Sequence, residues 1–163
     1  MRPSKKMLCN VTAQSVADNQ SGGGKMNTHN LWTLLRNNLK MKMYRVGGTE
    51  GMPNVHYLGS GKFPMGFMQI IHVGDWSKRV STGLRKEQVK WMNEYIDQGG
   101  SAWIVVRIGR DFTGLFWGGD SEAIFVRPSS QDFVKIAAWS KSGNMVEQDW
   151  EDIQNIILNA NSD

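Results

Sequence analysis

The stretch that decides the fold runs from Tyr44 to Ile108. It reads YRVGGTEGMPNVHYLGSGKFPMGFMQIIHVGDW (44–76), SKRVSTG (77–83) and LRKEQVKWMNEYIDQGGSAWIVVRI (84–108). The order predicts a short strand, a glycine-rich turn, a hairpin, a helix and another strand. Met52 to Tyr57 opens the first hairpin arm, and Gly59-Ser60-Gly61-Lys62 supplies a turn with glycine free to adopt positive φ. Phe67 to Val73 is the return arm, rich in residues suited to a pleated, half-buried surface. Leu84, Gln88, Val89, Met92, Tyr95 and Ile96 then recur at helical spacing, and Gly99-Gly100 ends that helix. Ala102 to Ile108 is a continuous apolar run, as expected of a strand buried on both faces.

This order and these residues resemble the PD-(D/E)xK nuclease fold, most closely its phage VRR-NUC-like branch. That family places a Pro-Asp at the head of one strand and a Glu-x-Lys on the next. A helix with a Gln and a Trp follows, then a Gly-Gly and a hydrophobic strand. Gly51, Pro53, Gly66-Phe67-Met68, Gln88, Trp91 and Gly99-Gly100 match that scaffold. The chemistry departs from it: Asn54 stands where the family has Asp, Gln69 where it has Glu, and Ile71 where it has Lys. The resemblance spans residues 44–108 of 163, and its retained parts are mostly structural. It implies a restriction-endonuclease-like α/β domain from a phage-type protein whose active site has degenerated. Localisation would then be the host cell interior or the virion.

The weight of those substitutions follows from metal chemistry alone. Mg²⁺ gives up water reluctantly and is usually held through carboxylates together with substrate phosphates. Bound there, it polarises the phosphoryl group and generates the nucleophile. Asn54 and Gln69 offer neutral amides, and Ile71 cannot stabilise developing negative charge as a positioned lysine would. Residues of this kind act as a unit, so their joint loss should remove nearly all metal-dependent activity. No metal and no other cofactor is therefore expected. Mg²⁺ would enter only if Glu50, His56, His72 or Asp75 rebuilt a migrated site. Asn54 and Gln69 are otherwise open to two readings, as polar caps on packed strands or as ligand contacts.

The rest of the composition is permissive. At 163 residues, 40% hydrophobic and 21% charged, the chain fits one globular domain. One cysteine, Cys9, excludes an internal disulfide framework and a cysteine-rich zinc site. No run is long and apolar enough to span a membrane, and the first residues lack the apolar core of a secretory signal, so no membrane partner is expected. A net charge of +4 with pI near 9.3 leans mildly toward polyanions.

Residues 1–26, with the basic start Met1 to Lys6 and the linker Gln20 to Lys25, read as a flexible N-terminal arm before a domain at 27–163. The Gly22-Gly23-Gly24-Lys25 run lacks the spacing and the Ser or Thr of a phosphate loop. Asn27-Thr28 caps a predicted amphipathic helix over His29 to Lys42, with Leu31, Trp32, Leu35, Leu39 and Met43 on one face. Beyond Ile108, Leu115 to Trp117 and Ala123 to Arg127 read as a hairpin closing the sheet, followed by helices over Gln131 to Trp139 and Met145 to Asn159. These elements amount to a mixed sheet of about five strands flanked by helices.

The densest basic segment holds Lys78, Arg79, Arg85, Lys86 and Lys90, around Trp76. Such side chains supply phosphate contacts in nucleic-acid binding, DNA above RNA, or form a plain solvated face. An exposed Trp76 or Trp139 would mark a contact surface for a base or a protein. Three functions follow: an inactive nuclease-fold protein that binds nucleic acid or a nucleoprotein partner; a virion or assembly component using the fold for contacts with phage or host proteins; and an active nuclease with a migrated site.

Overall fold

The computed structural model describes residues 28–159; the predicted arm at 1–26 lies outside them. Helix α1 (Thr28–Asn38) leads into β1 (Lys42–Arg45), β2 (Val55–Leu58) and β3 (Met65–Val73). Helix α2 (Lys86–Asp97) crosses over to β4 (Ala102–Ile108), which turns back into β5 (Phe112–Trp117). A 3-10 turn (Gly118–Asp120), α3 (Ser121–Phe125), α4 (Ser130–Ile136), β6 (Trp139–Ser142) and α5 (Glu147–Asn159) complete the chain. The six strands lie in sequence order, antiparallel except where β4 runs parallel to β3. That one parallel pair requires a crossover, and α2 supplies it.

The alternation of side chains along the strands divides the core in two. On one face, Met43, Tyr57, Met68, Ile70, Trp103 and Val105 pack against Leu31 and Leu35 of α1 and Trp150, Ile153 and Ile157 of α5. On the other, Ile71, Ile104, Val106 and Phe116 meet Val89 and Met92 of α2, Ile124 of α3 and Phe133 of α4. Every residue of β4 is buried, as a central strand covered on both sides demands.

The expected mixed sheet flanked by helices is present, with six strands rather than five. The first helix stops at Asn38 instead of continuing to Lys42, and Lys42 begins β1, where alternation sends Met43 into the core. Arg36 and Arg45 accordingly flank the Trp32 ring, at 5.2 and 5.4 Å from its centroid. Ala123 to Arg127 is no strand. Ser121 and Ile124 are buried at helical spacing, and the apolar pair Phe125 and Val126 that suggested a strand lies at the surface. The missing strand comes from Trp139–Ser142, which pairs with β5 where the sequence suggested the end of a helix and a break.

Two glycines set the geometry near the crossover. Gly51 has φ +82°, and a Cβ there would meet the Glu87 carbonyl oxygen at 2.4 Å. Only glycine lets the 47–53 loop lie against the first turn of α2. Gly66 is closed in on the opposite side, where a Cβ would sit 2.3 Å from the Ser101 carbonyl oxygen. The first contact holds the loop before β2 against the start of α2, and the second holds the start of β3 against the residue that leads into β4.

Candidate functional site

The register that pairs Val55 with Met68 brings Asn54 opposite Gln69 at the head of β2. Pro53 has no N–H to continue the ladder, and the Asn54 side chain takes over the pairing. Its Oδ1 accepts from the Ile70 N–H at 2.9 Å, and its Nδ2 donates to the Ile70 carbonyl at 3.3 Å. The Asn54 N–H in turn donates to Gln69 Oε1 at 3.1 Å. Asn54 thus acts as an extra rung of the sheet.

Gln88 reaches the same place from α2. It occupies the third helical position, and its Oε1 accepts the N–H of the N-cap residue Arg85 at 2.8 Å, one half of a capping box. Asn54, Gln69, Ile71 and Gln88 therefore line a single open cavity of about 240 Å³, with His72, Thr82, Gly83 and Arg85 along its sides. Ile71 contributes no polar atom and belongs to the apolar cluster under α2.

No carboxylate lines this cavity. Glu50 is exposed in the preceding turn, and Asp75 is exposed and accepts the Trp76 N–H at 2.8 Å. Among the described residues, no three His, Cys, Asp or Glu side chains gather where a cation would be held. His72 lies at the wall with its Nε2 buried and unpartnered. Burial lowers its pKa first of all, the Arg107 charge adds to that, and a backbone hydrogen bond at Gly109 opposes both. Its ring is accordingly held toward the neutral form.

The five basic residues are dispersed. Arg85 lines the polar cavity, while Lys86 and Lys90 are exposed on α2, with Lys90 4.0 Å from Glu94. Arg79 is tied to the Arg127 carbonyl through Nη1 at 2.9 Å, next to a bridge between Arg79 and Ser129. Lys78 edges a different depression, an open apolar one lined by Trp76, Val134 and Lys135. Trp76 is half-buried and packs edge-on against Phe112 at 5.0 Å, and Trp139 is half-buried against the core.

An aromatic row escaped the sequence reading. Tyr44, His56 and Phe67 sit side by side on three adjacent strands, with ring centroids 6.4 and 5.0 Å apart. Trp91 and Tyr95 of α2 continue it, each about 5 Å from Phe67. His56 and Phe67 are two residues along their strands from Asn54 and Gln69, and Trp91 is one helical turn from Gln88. The row and the cavity therefore share one face. Tyr44, at 40% exposed, is the open end.

No family model and no curated protein matches the chain. Among the described residues, no helix is long and apolar enough to cross a membrane.

Proposed function

We propose that this protein binds nucleic acid without cleaving it, as a catalytically silent relative of the PD-(D/E)xK nucleases. The observation that carries the reading is the convergence of Asn54, Gln69, Ile71 and Gln88 on one cavity. Residues scattered over 35 positions of sequence meet in one cavity, among them the three that the resemblance aligns with catalytic positions, yet they bring amides and an alkyl group. The elements agree with the resemblance as well: Asn54 heads β2, Gln69 and Ile71 lie on β3, and Gln88 and Trp91 lie on α2. The adjoining aromatic row offers π-faces on which unpaired bases can stack. Arg85, Lys86 and Lys90 provide positive charge at the neighbouring end of α2.

The test is a gel shift with branched, duplex and single-stranded DNA, with and without divalent metal. The reading expects salt-sensitive retention that chelation leaves unchanged, and no cleavage. Nicking that depends on Mg²⁺ or Mn²⁺ in purified material would refute it and restore the active-nuclease alternative.

A second reading, an assembly component working through protein contacts, is favoured by exposed apolar side chains that do not line the cavity. Phe125, Val126 and Val134 are exposed, and Val134 lines the open depression beside Trp76. Loss of a protein partner on Val134→Glu, with no DNA retention by the native chain, would select it.

A further inference from the structure

The hydrogen bonds that Gln69 and Gln88 make inside the protein use only their oxygens. The Asn54 N–H takes Gln69 Oε1, and the Arg85 N–H takes Gln88 Oε1. A backbone N–H must be accepted by oxygen, which fixes the end of each carboxamide that remains. The Nε2 groups, with two donors apiece, make no hydrogen bond to the described residues, and the two side chains are nine-tenths buried, at 9% and 7% exposed. Thr82 Oγ1 accepts from the Leu84 N–H at 3.2 Å, so its own hydrogen is free to donate. Arg85 adds a guanidinium, and the N-terminal end of α2, the positive end of its dipole, stands at the same wall. Beside the neutral His72 ring at the wall, whose Nε2 is unpartnered, these side chains present donors and positive charge.

We propose that this cavity binds a phosphate oxyanion directly, without a metal ion, through Gln69, Gln88, Thr82 and Arg85. For the two acceptor roles a glutamate would serve as well as a glutamine, since either offers an oxygen to the backbone N–H. The difference lies only on the cavity side, where an amide donates to an anion and a carboxylate repels it. At about 240 Å³ the space admits a tetrahedral oxyanion with a few waters, each water taking about 30 Å³. The inference deepens the nucleic-acid reading and rests on it for the identity of the polyanion. The same oxyanion chemistry is offered by a backbone phosphodiester and by free phosphate.

The experiment follows the side-chain amide signals of Gln69 and Gln88 by ¹H–¹⁵N NMR on the full chain. Inorganic phosphate is titrated against chloride at matched ionic strength, then a short oligonucleotide. Phosphate is expected to move both signals. Gln69→Glu and Gln88→Glu keep their backbone acceptors, and thermal melts verify their folding. Each should weaken phosphate binding roughly tenfold or more, read on the remaining glutamine. Signals that respond to phosphate no more than to chloride would overturn the proposal. So would undiminished binding by both variants, or selective broadening of these signals by Mn²⁺ in the native protein. Shifts at lower oligonucleotide concentration identify backbone phosphate as the source, and shifts with inorganic phosphate alone identify the free ion; either upholds the site. Gel-shift retention by a chain whose cavity ignores phosphate sinks this assignment and leaves the binding reading standing. Phosphate binding without retention does the reverse.

Discussion

Asn54→Asp would place a carboxylate at the head of β2, and the structure expects it to destabilise the protein. The change keeps the acceptor for the Ile70 N–H and removes the donor that meets the Ile70 carbonyl at 3.3 Å. A carboxylate oxygen would then face a carbonyl oxygen. Losing one half-buried hydrogen bond and leaving its acceptor opposed costs about 2 kcal/mol. For a domain of this size that corresponds to a fall in Tm of roughly 4–8 °C. The effect should depend on pH in a definite direction. Protonating the introduced carboxyl returns a donor toward Ile70, so its folded pKa is raised above the unfolded value near about 3.9. The folded state then binds the proton more tightly, and stability falls as pH rises through the folded pKa. Thermal melts of Asn54→Asp and the native chain, from neutral pH down to about pH 4, should show a gap that is widest at neutrality and closes on acidification. Equal Tm values at neutral pH, or a gap independent of pH, would refute the account of Asn54 as a rung of the sheet.

Three further outcomes follow from other parts of the fold. Gly51→Ala should cost more than about 2 kcal/mol, because it combines a left-handed backbone with a Cβ 2.4 Å from the Glu87 carbonyl oxygen; urea unfolding measures it. Tyr44→Ala removes the open end of the aromatic row and should weaken single-stranded DNA binding by roughly 5- to 100-fold while barely altering the melt; fluorescence anisotropy with single-stranded and duplex probes checks the contrast. Lys141 donates to Asp149 Oδ2 at 2.6 Å, and that bond, with the Val146 N–H at 2.7 Å, holds the Asp149 pKa below its usual value. A depressed folded pKa contributes stability above the unfolded carboxylate value, lost as pH falls through the folded one. Lys141→Met should therefore lower Tm at neutral pH, with the difference shrinking in acid.

The central hairpin, crossover helix and buried strand were legible because each carries its own local signal. Ala102 to Ile108 is apolar throughout and buried throughout, and the glycines at 59, 61, 99 and 100 mark real ends. The later elements were misread where a short apolar run has two solutions. AIFVR fits a strand by composition, but the sheet edge beyond β5 was already taken by Trp139–Ser142, whose alternating burial spans only four residues. The basic segment is divided by the fold in a way its sequence does not announce. Its residues are near in sequence, yet the loop sends Arg79 and Lys78 toward the Arg127–Ser130 connection while Arg85 turns to the cavity. Proximity along a loop does not make a patch.

The aromatic row shows the opposite limit. Tyr44, His56 and Phe67 are eleven or twelve residues apart, and nothing local links them. Once Tyr44 is paired with His56 and His56 with Phe67, the three rings must lie on one face, and the second of these pairings follows from the hairpin connection between Gly59 and Pro64. The three amides differ among themselves in the same way. By type alone, Asn54, Gln69 and Gln88 are uncharged and equivalent. In the fold, Asn54 has both ends of its side chain bonded to Ile70, which leaves one Nδ2 hydrogen over. Gln69 and Gln88 are bonded through oxygen alone. An uncharged amide is therefore a rung of the sheet in one case and keeps its whole donor end unbonded in the other two, and only the backbone partner tells them apart.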